Sequence, residues 1–306
     1  MNRSPLCVCL GLPIPSHRCL DVRGGLASGV RLLAVAVFLV CSAPPAVAEE
    51  AAGAIQPSAR LGKKTAEAPA RVSKDLKPHV VFMIGEDEYD TAKTLPVFAA
   101  AHLEPRGLRC TMVHADARDG NRFPGLEALQ TADVLFLSVR RRSPVASQLQ
   151  LVRDFLAGGK PLVGIRTASH AFHTRGKHPP GCDEWQEFDA QVLGGNYHGH
   201  HGDGPQVAVR RASGTDHPIL RGVSVESLVG HSSLYQVTPL AAGTEVLLMG
   251  EIPGRPAEPI AWTHCYRGGR VFYTSLGDPE DFQSEDFNRL LANAVFWALN
   301  RPGPWR

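Results

Sequence analysis

Short apolar runs alternate with amphipathic segments through the first half of the folded region. The first run, 79–84, is almost wholly apolar, as in strands buried on both faces of a parallel sheet. Three more strand-like runs follow, with helical segments between them. The further strands are predicted at 108–114, 133–138 and 161–165, and the helices at 95–103, 126–131 and 144–157. This alternation predicts an α/β fold, a mostly parallel sheet with helices on both faces.

The pattern changes after Gly194. Short strands separated by glycine and proline turns are predicted there, and they would add an antiparallel flank to the sheet. They are placed at 206–211, 235–240, 245–249, 260–265 and 271–275. An apolar stripe over 287–300 predicts a closing helix. One domain over 78–301, with a tail at 302–306, is the simplest organisation.

The N-terminal region resembles an export signal. Arg31 precedes an apolar stretch, 32–40, which is too short to span a membrane, and Ala46-Val47-Ala48 has the small-x-small pattern of a cleavage site. We therefore predict a leader over 1–48 that sends the protein to the periplasm or outside the cell, with no membrane span after cleavage. Lipidation of Cys41 is the weaker alternative, because the valine before it is bulkier than usual.

Composition narrows the remaining choices. The chain has 306 residues, 43% hydrophobic, and a net charge of +2, which argues against a nucleic-acid or membrane-surface partner. Residues 49–77 are rich in Ala, Pro, Lys and Glu without periodicity, which predicts a flexible linker. Three cysteines remain after the leader, Cys110, Cys182 and Cys265, too few for a disulfide framework. Cys110 and Cys265 lie in strand-like runs, so we expect both to be buried.

Polar residues stand where the predicted parallel strands end. Ligands collect at the carboxyl edge of such sheets, so the segments 86–89, 138–142 and 166–173 should converge on one site. Six of the thirteen histidines also lie between 170 and 201. This edge is therefore the predicted functional site.

Each residue at this edge has a functional and a structural interpretation. Arg166 can hold a carboxylate, a phosphate or sugar hydroxyls, or it can pair with Glu86 or Asp278 and fix the turn. Asp278 would then join the substrate-binding set. His170 can be a general base or a metal ligand, or it can bond the backbone. Glu86 is a second candidate base, and Arg140 is our choice among three consecutive arginines to face the crevice.

The histidine loop offers a metal site or a sugar wall. His198 and His200 alternate on an extended segment, and Asp203 could add an oxygen ligand, so a divalent metal is one option. Glycine-rich loops with histidines also bind metals adventitiously. Trp185 and Tyr197 predict a stacking platform for a pyranose or, equally, an aromatic lid over the core. No nucleotide cofactor is expected.

Four motifs together resemble the ThuA-like (trehalose-utilisation) family. They are Gly164-Ile165-Arg166-Thr167-Ala168-Ser169-His170, the Gly-Gly-x-x-His of 194–198, Asp216-His217-Pro218-Ile219, and 269–277 before the last helix. The resemblance covers 78–301 and implies a flavodoxin-like fold related to class I glutamine amidotransferases. It also implies a loose association with sugar metabolism, including oxidised disaccharides.

Glutamine hydrolysis is excluded by the residues at the two key positions. Arg166 stands where the amidotransferases have a cysteine, and Asp278 where they have a histidine. A guanidinium cannot be a nucleophile. The commoner ThuA-like pattern also differs, with His at 166, Asp at 170 and His at 278. We predict an exported protein that binds a carbohydrate and transforms it by general acid/base chemistry, as a hydrolase or isomerase. The alternative is a non-catalytic binding module, and a homo-oligomer stays open.

Overall fold

The computed structural model describes residues 77–202 and 206–303. The strands within these residues are β1 (His79–Gly85), β2 (Arg109–His114), β3 (Val134–Val139), β4 (Leu162–Ile165), β5 (Gly199–His201), β6 (Val207–Arg211), β7 (Val229–Gly230), β8 (Leu234–Gln236), β9 (Glu245–Glu251), β10 (Glu258–Tyr266) and β11 (Gly269–Thr274). The α-helices are α1 (Thr91–Phe98), α2 (Ala146–Ala157) and α3 (Glu285–Ala298). Among the shorter helical turns, two matter for the site: Arg166–His170 and Asp189–Leu193. The predicted leader and nearly all of the predicted linker lie outside the described residues.

The main sheet has nine strands in the order β2-β1-β3-β4-β11-β10-β9-β6-β7. The first five of these strands run parallel, and β10, β9, β6 and β7 continue the sheet in antiparallel pairs. The predicted parallel sheet with an antiparallel flank is confirmed. One placement was wrong, because the strand predicted at 235–240 is only Leu234–Gln236 and pairs with β5 outside the main sheet.

The core lies on both faces of the parallel strands. Alternate residues of β1 point to opposite faces, so Val80, Phe82 and Ile84 pack with α1 and α3, whereas Val81 and Met83 pack on the side of α2. All seven residues of β1 are buried. This explains why the run has no polar alternation.

The closing helix begins with a side-chain cap. Ser284 precedes α3, and its hydroxyl accepts a hydrogen bond from the N–H of Phe287 at 3.3 Å. Glu285 and Asp286 lie in the first turn, where negative charge is favoured by the helix dipole. The predicted apolar stripe of this helix is buried against the sheet.

The described cysteines are all free. Cys110 and Cys182 are partly buried, whereas Cys265 is exposed. The prediction that Cys265 is buried was wrong, because the end of β10 lies in the antiparallel flank, where one face meets solvent. Among the described residues, no helix combines the length and the apolar character that a bilayer crossing requires.

Candidate functional site

The turn after β4 holds Arg166 in a left-handed backbone conformation. Its φ is 46°, which residues with a Cβ rarely adopt. The hydroxyl of Tyr273, on the neighbouring strand β11, donates to the carbonyl oxygen of Arg166 at 2.6 Å. All five residues of the following helical turn, Arg166–His170, are buried. The strand end predicted from sequence is therefore a tight and well-supported elbow.

The guanidinium of Arg166 makes its contacts inside the protein. It donates to the carbonyl oxygens of Ser275 at 2.7 Å and Ser233 at 3.1 Å. It also lies between the rings of Tyr89 and Tyr235, at 4.7 and 4.2 Å from their centroids. The residue is 2% exposed. Both terminal nitrogens and both faces of the guanidinium are occupied by protein groups, and the buried Nε has no hydrogen-bond partner among the described residues. Ligand binding by Arg166 stays a prediction, and its side chain does not line the pocket that contains His170.

The predicted ion pair of Arg166 is also absent from the described residues. The hydroxyls of Tyr89, Ser232 and Ser233 accept from its second terminal nitrogen in place of a carboxylate. Asp278 is partly buried, and burial raises the pKa of its carboxyl. Its side chain accepts from the N–H of Glu280 at 3.1 Å. Asp278 therefore shapes its own turn and does not share a pocket with His170.

Glu86 is a structural carboxylate. It accepts four hydrogen bonds, from the N–H groups of Glu88, Tyr89 and Thr91 and from the hydroxyl of Thr91, all between 2.6 and 2.7 Å. Both oxygens are thereby satisfied, and the loop is tied to the start of α1. A role for Glu86 as a base stays a prediction, and it would require the carboxylate to give up one of these four hydrogen bonds.

The three consecutive arginines divide their roles differently from the prediction. Arg140 is paired with Glu88 at 2.6 Å and with Asp87 at 3.8 Å. Arg142 donates to the carbonyl oxygen of Gly85 at 2.9 Å and is paired with Asp87. Arg141, with φ 48°, lines the pocket that also contains His170, whereas Arg142 lines a separate one beside Gly85. The choice of Arg140 was wrong, because Arg140 is paired with the acidic loop after β1 and Arg141 faces the pocket in its place.

Trp185 belongs to the core. It is 9% exposed and packs edge-on against Phe188 and Tyr266. The guanidinium of Arg153 lies over its ring at 5.5 Å. This burial agrees with the aromatic-lid interpretation, and Trp185 does not line the pocket that contains His170 and Tyr197.

A pocket of about 610 Å³ opens between the elbow and the histidine loop. The residues that line it are largely basic or aromatic. They are Arg141, Ser169, His170, His173, Arg175, Gln186, Asp189, Tyr197, His198, Gly199, His200 and Gln236. The pocket thus brings together four of the predicted site residues: His170, Tyr197, His198 and His200.

His170 lies at the wall of this pocket and is held on two sides. Its ring stacks on Tyr197 with 4.5 Å between centroids, and its Nδ1 lies 3.1 Å from the hydroxyl of Ser169. Burial, followed by the charge of Arg141, lowers the pKa of His170 to about 3. The imidazole is therefore neutral at ordinary pH, and the cations around it help to keep it so.

Asp189 is a site residue that sequence reasoning missed. Its Oδ2 accepts from the N–H of Tyr197 at 2.6 Å, and its carbonyl oxygen accepts from the N–H of Gly195 at 3.1 Å. A Cβ at position 195 would overlap the carboxylate, so the glycine is required for this approach. Burial raises the pKa of Asp189 to about 7. The Gly-Gly pair before the histidine loop was the signal that could have led to this contact.

The histidine loop is positioned by the pairing of β5 with β8. The N–H of His198 donates to the carbonyl oxygen of Gln236 at 3.1 Å, and His200 pairs with Tyr235. Both histidines are exposed and line the pocket. Asp203 lies outside the described residues. Among those that are described, no group of three or more His, Cys, Asp or Glu side chains is placed to hold a metal ion.

The family model described as ThuA, trehalose utilisation, matches residues 79–298. The chain belongs to the ThuA family. No curated protein matches it. Two solved structures are similar to this ThuA chain. A ThuA-like protein from Bacteroides uniformis is 17% identical, with a TM-score of 0.54 over 78% of this chain and 98% of that one. A ThuA-like protein from Parabacteroides merdae is 15% identical, with a TM-score of 0.53 over 75% and 93%. At these identities the likeness shows the fold alone, which is of flavodoxin-like type.

This ThuA chain carries a second polar pair near the elbow. The Nδ1 of His231 lies 2.8 Å from Oδ1 of Asp281, a residue that is 2% exposed. The other oxygen of Asp281 accepts from the N–H groups of Gly277 and Asp278 at 2.8 and 3.0 Å. The pair fixes the turn that follows β11, and His231 is not among the residues lining the pocket above His170.

Proposed function

We propose that this protein binds a carbohydrate in the pocket above His170 and transforms it by proton transfer. Membership of the ThuA family supports a domain for carbohydrate utilisation. The observation that carries the proposal is the stack of His170 on Tyr197 at the pocket wall. A titratable ring that is held rigidly in a concave polar site is suited to acid/base catalysis.

The contacts of His170 assign a task to each of its nitrogens. Nδ1 lies against the hydroxyl of Ser169, which leaves Nε2 as the nitrogen that meets the ligand. Because the ring is neutral, Nε2 can accept a proton in the tautomer that carries its hydrogen on Nδ1, which then donates to the hydroxyl of Ser169. Gln236 and the loop histidines supply hydrogen-bonding groups for sugar hydroxyls, and Asp189 holds the loop in position through Tyr197.

The test is a turnover assay on a panel of mono- and disaccharides and their keto derivatives, followed by NMR. His170→Gln should lower turnover by about 100-fold or more, the usual size of a general acid/base contribution. His173→Gln is the control, because His173 is an exposed histidine of the same pocket. Runs with added divalent metal and with a chelator test the metal option at His198 and His200. Equal turnover by His170→Gln and the parent protein would overturn the assignment.

A non-catalytic binding module is the second candidate. The observation in its favour is Arg166, which occupies the elbow and has its guanidinium enclosed by protein groups. Such a module would bind sugars from the same panel and leave all of them unchanged. Turnover of any one sugar that is lost in His170→Gln would decide for the enzyme.

Export belongs to the same proposal. The leader at 1–48 would carry the protein out of the cytoplasm, towards polysaccharide breakdown products. N-terminal sequencing of the protein recovered from the periplasm or medium should begin after Ala48. Recovery of the uncleaved chain from the cytosol would contradict export.

A further inference from the structure

The charges that face the pocket above His170 are unbalanced. Two guanidiniums line it, those of Arg141 and Arg175, together with four histidines. Asp189 supplies the single carboxyl group among the described lining residues. A site with this excess of donors and positive charge is complementary to an anion.

Arg141 is directed to the pocket by its backbone. Its N–H donates to the carbonyl oxygen of His170 at 2.9 Å, and the next N–H, that of Arg142, donates to the carbonyl oxygen of Ala171 at 2.8 Å. The loop after β3 is thus attached to the elbow turn. Arg140 and Arg142 both reach the carboxylates of the loop after β1, whereas no described carboxylate forms an ion pair with Arg141.

Arg141 and Arg175 are near enough to repel each other. Burial, and then the charge of Arg175, lowers the pKa of Arg141. The Tyr197 hydroxyl lies within hydrogen-bonding reach of Arg141 but carries no charge to offset this repulsion. Two like charges that face one pocket are relieved when a negative group binds between them.

Asp189 does not neutralise this pair. Its carboxylate is pressed against Gly195, and one oxygen accepts from the N–H of Tyr197. The other oxygen is buried and has no described hydrogen-bond partner. The carboxyl is therefore committed to the loop, and the positive charge of the two arginines stays available to a ligand.

We infer that the ligand of this pocket is an acidic carbohydrate, bound through its carboxylate or phosphate group by Arg141 and Arg175. This inference rests on the proposed function and names its substrate class. Planar guanidinium groups bind such anions through paired, charge-assisted hydrogen bonds. The remaining hydroxyls of the sugar would meet Gln236 and the histidine loop.

Anion binding also has a consequence for His170. The cations around it disfavour its protonated form in the empty pocket. A bound anion offsets those charges, so the pKa of His170 rises on binding. Burial is the larger cause of the low pKa and is not removed by the ligand, so proton uptake on binding is expected only at acidic pH, near the pKa of His170.

The experiment compares D-glucose, D-glucuronate and D-glucose 6-phosphate by isothermal titration calorimetry on the full exported protein. Both anions differ from glucose at one carbon, so the comparison isolates the charge. We expect an acidic sugar to bind at least about 10-fold more tightly than glucose, with weaker binding at higher salt. Whichever of glucuronate and glucose 6-phosphate binds more tightly shows whether the pocket prefers a carboxylate or a phosphate. Titrations at acidic pH in buffers of different ionisation enthalpy report the proton uptake.

Arg141→Gln and Arg175→Gln should each lower the affinity for the acidic sugar by about 10-fold. The affinity for glucose should change little. Arg255→Gln, an exposed arginine outside the pocket, is the matched control. Thermal melting confirms that each variant is folded. Equal affinity for glucose and both acids, or unchanged affinity in both pocket variants, would overturn the inference. If neutral sugars are nevertheless turned over through His170, the proposed function survives. If no sugar of any charge binds, both fail.

Discussion

Arg166 and Arg141 share a backbone conformation, but their side chains lie in different environments. Each lies just beyond the end of a parallel strand in the left-handed region, with φ 46° and 48°. Arg166 is enclosed by rings, carbonyl oxygens and hydroxyls, whereas Arg141 faces the pocket without a carboxylate partner among the described residues. The comparison teaches that position at the sheet edge does not identify a binding arginine. What identifies it is whether its donors are already used.

The difference comes from what each strand end meets. Arg166 receives partners from Tyr89, Ser233, Tyr235 and Ser275, which come from three separate parts of the chain. Arg141 lies between Arg140 and Arg142, which form ion pairs with the nearby carboxylates. Arg141 itself has no carboxylate partner among the described residues. Buried polar groups are normally satisfied within the protein, and an unsatisfied charge in a pocket indicates a ligand.

The largest expected effect is on stability. Arg166→Met should lower the free energy of unfolding by about 3 kcal/mol or more, since it leaves buried carbonyl oxygens without donors. Arg141→Met should cost under about 1 kcal/mol. Both variants place the same side chain on a left-handed backbone, so strain is matched. Urea unfolding measures the two values. Equal losses would break the comparison.

The second effect is on the pH dependence of stability. The folded pKa of His170, about 3, lies below its ordinary value of 6.5, so the unfolded chain binds more protons between these values. Stability conferred by neutral His170 is therefore complete above pH 6.5 and is lost as the pH falls towards 3. Between pH 7 and pH 4 the free energy of unfolding of the parent protein should fall by on the order of 3 kcal/mol more than that of His170→Gln.

Arg141 sharpens this measurement. It is the first of the charges that lower the pKa of His170, so Arg141→Gln should make the acid-side loss of stability smaller. Asp189 contributes with the opposite sign, because its raised pKa favours the fold at lower pH, but it does so in all of these proteins. His173→Gln is the control and should follow the parent curve. An unchanged slope in His170→Gln would contradict the buried neutral imidazole.

The smallest effect is expected for Arg140→Gln. Its ion pairs with Glu88 and Asp87 join side chains that are 31%, 44% and 64% exposed. Pairs of this kind contribute under about 1 kcal/mol because water and salt screen them. Urea unfolding at low and high salt checks the value. A loss above about 2 kcal/mol would mean that the acidic loop organises the pocket more strongly than its exposure suggests.

The fold was predictable because its signals are local. The apolar run of β1 and the stripe of α3 each follow from neighbouring residues, and so does the meeting of strand ends at one edge. The sequence also named His170, Tyr197, His198 and His200, and all four line one pocket. The metal interpretation of the loop stays a prediction, since Asp203 lies outside the described residues.

The individual roles of the residues at this edge of the sheet were not predictable from the sequence. Whether Arg166 is enclosed depends on residues 67 to 109 positions away, and periodicity carries no information about such contacts. Asp189 had no motif beyond the glycines that make room for it. Glu86 differs, because its partners lie within five residues and the sequence around it could have been interpreted as a capped helix start.

The enclosure of Arg166 limits how this elbow can change during evolution. A cysteine at position 166 would restore the nucleophile of the related amidotransferases in a single substitution. It would also empty the space between Tyr89 and Tyr235 and leave the carbonyl oxygens of Ser233 and Ser275 unpaired. Several simultaneous replacements would be needed before the new residue could be tolerated. New chemistry is therefore more accessible in the pocket around His170 than at the elbow.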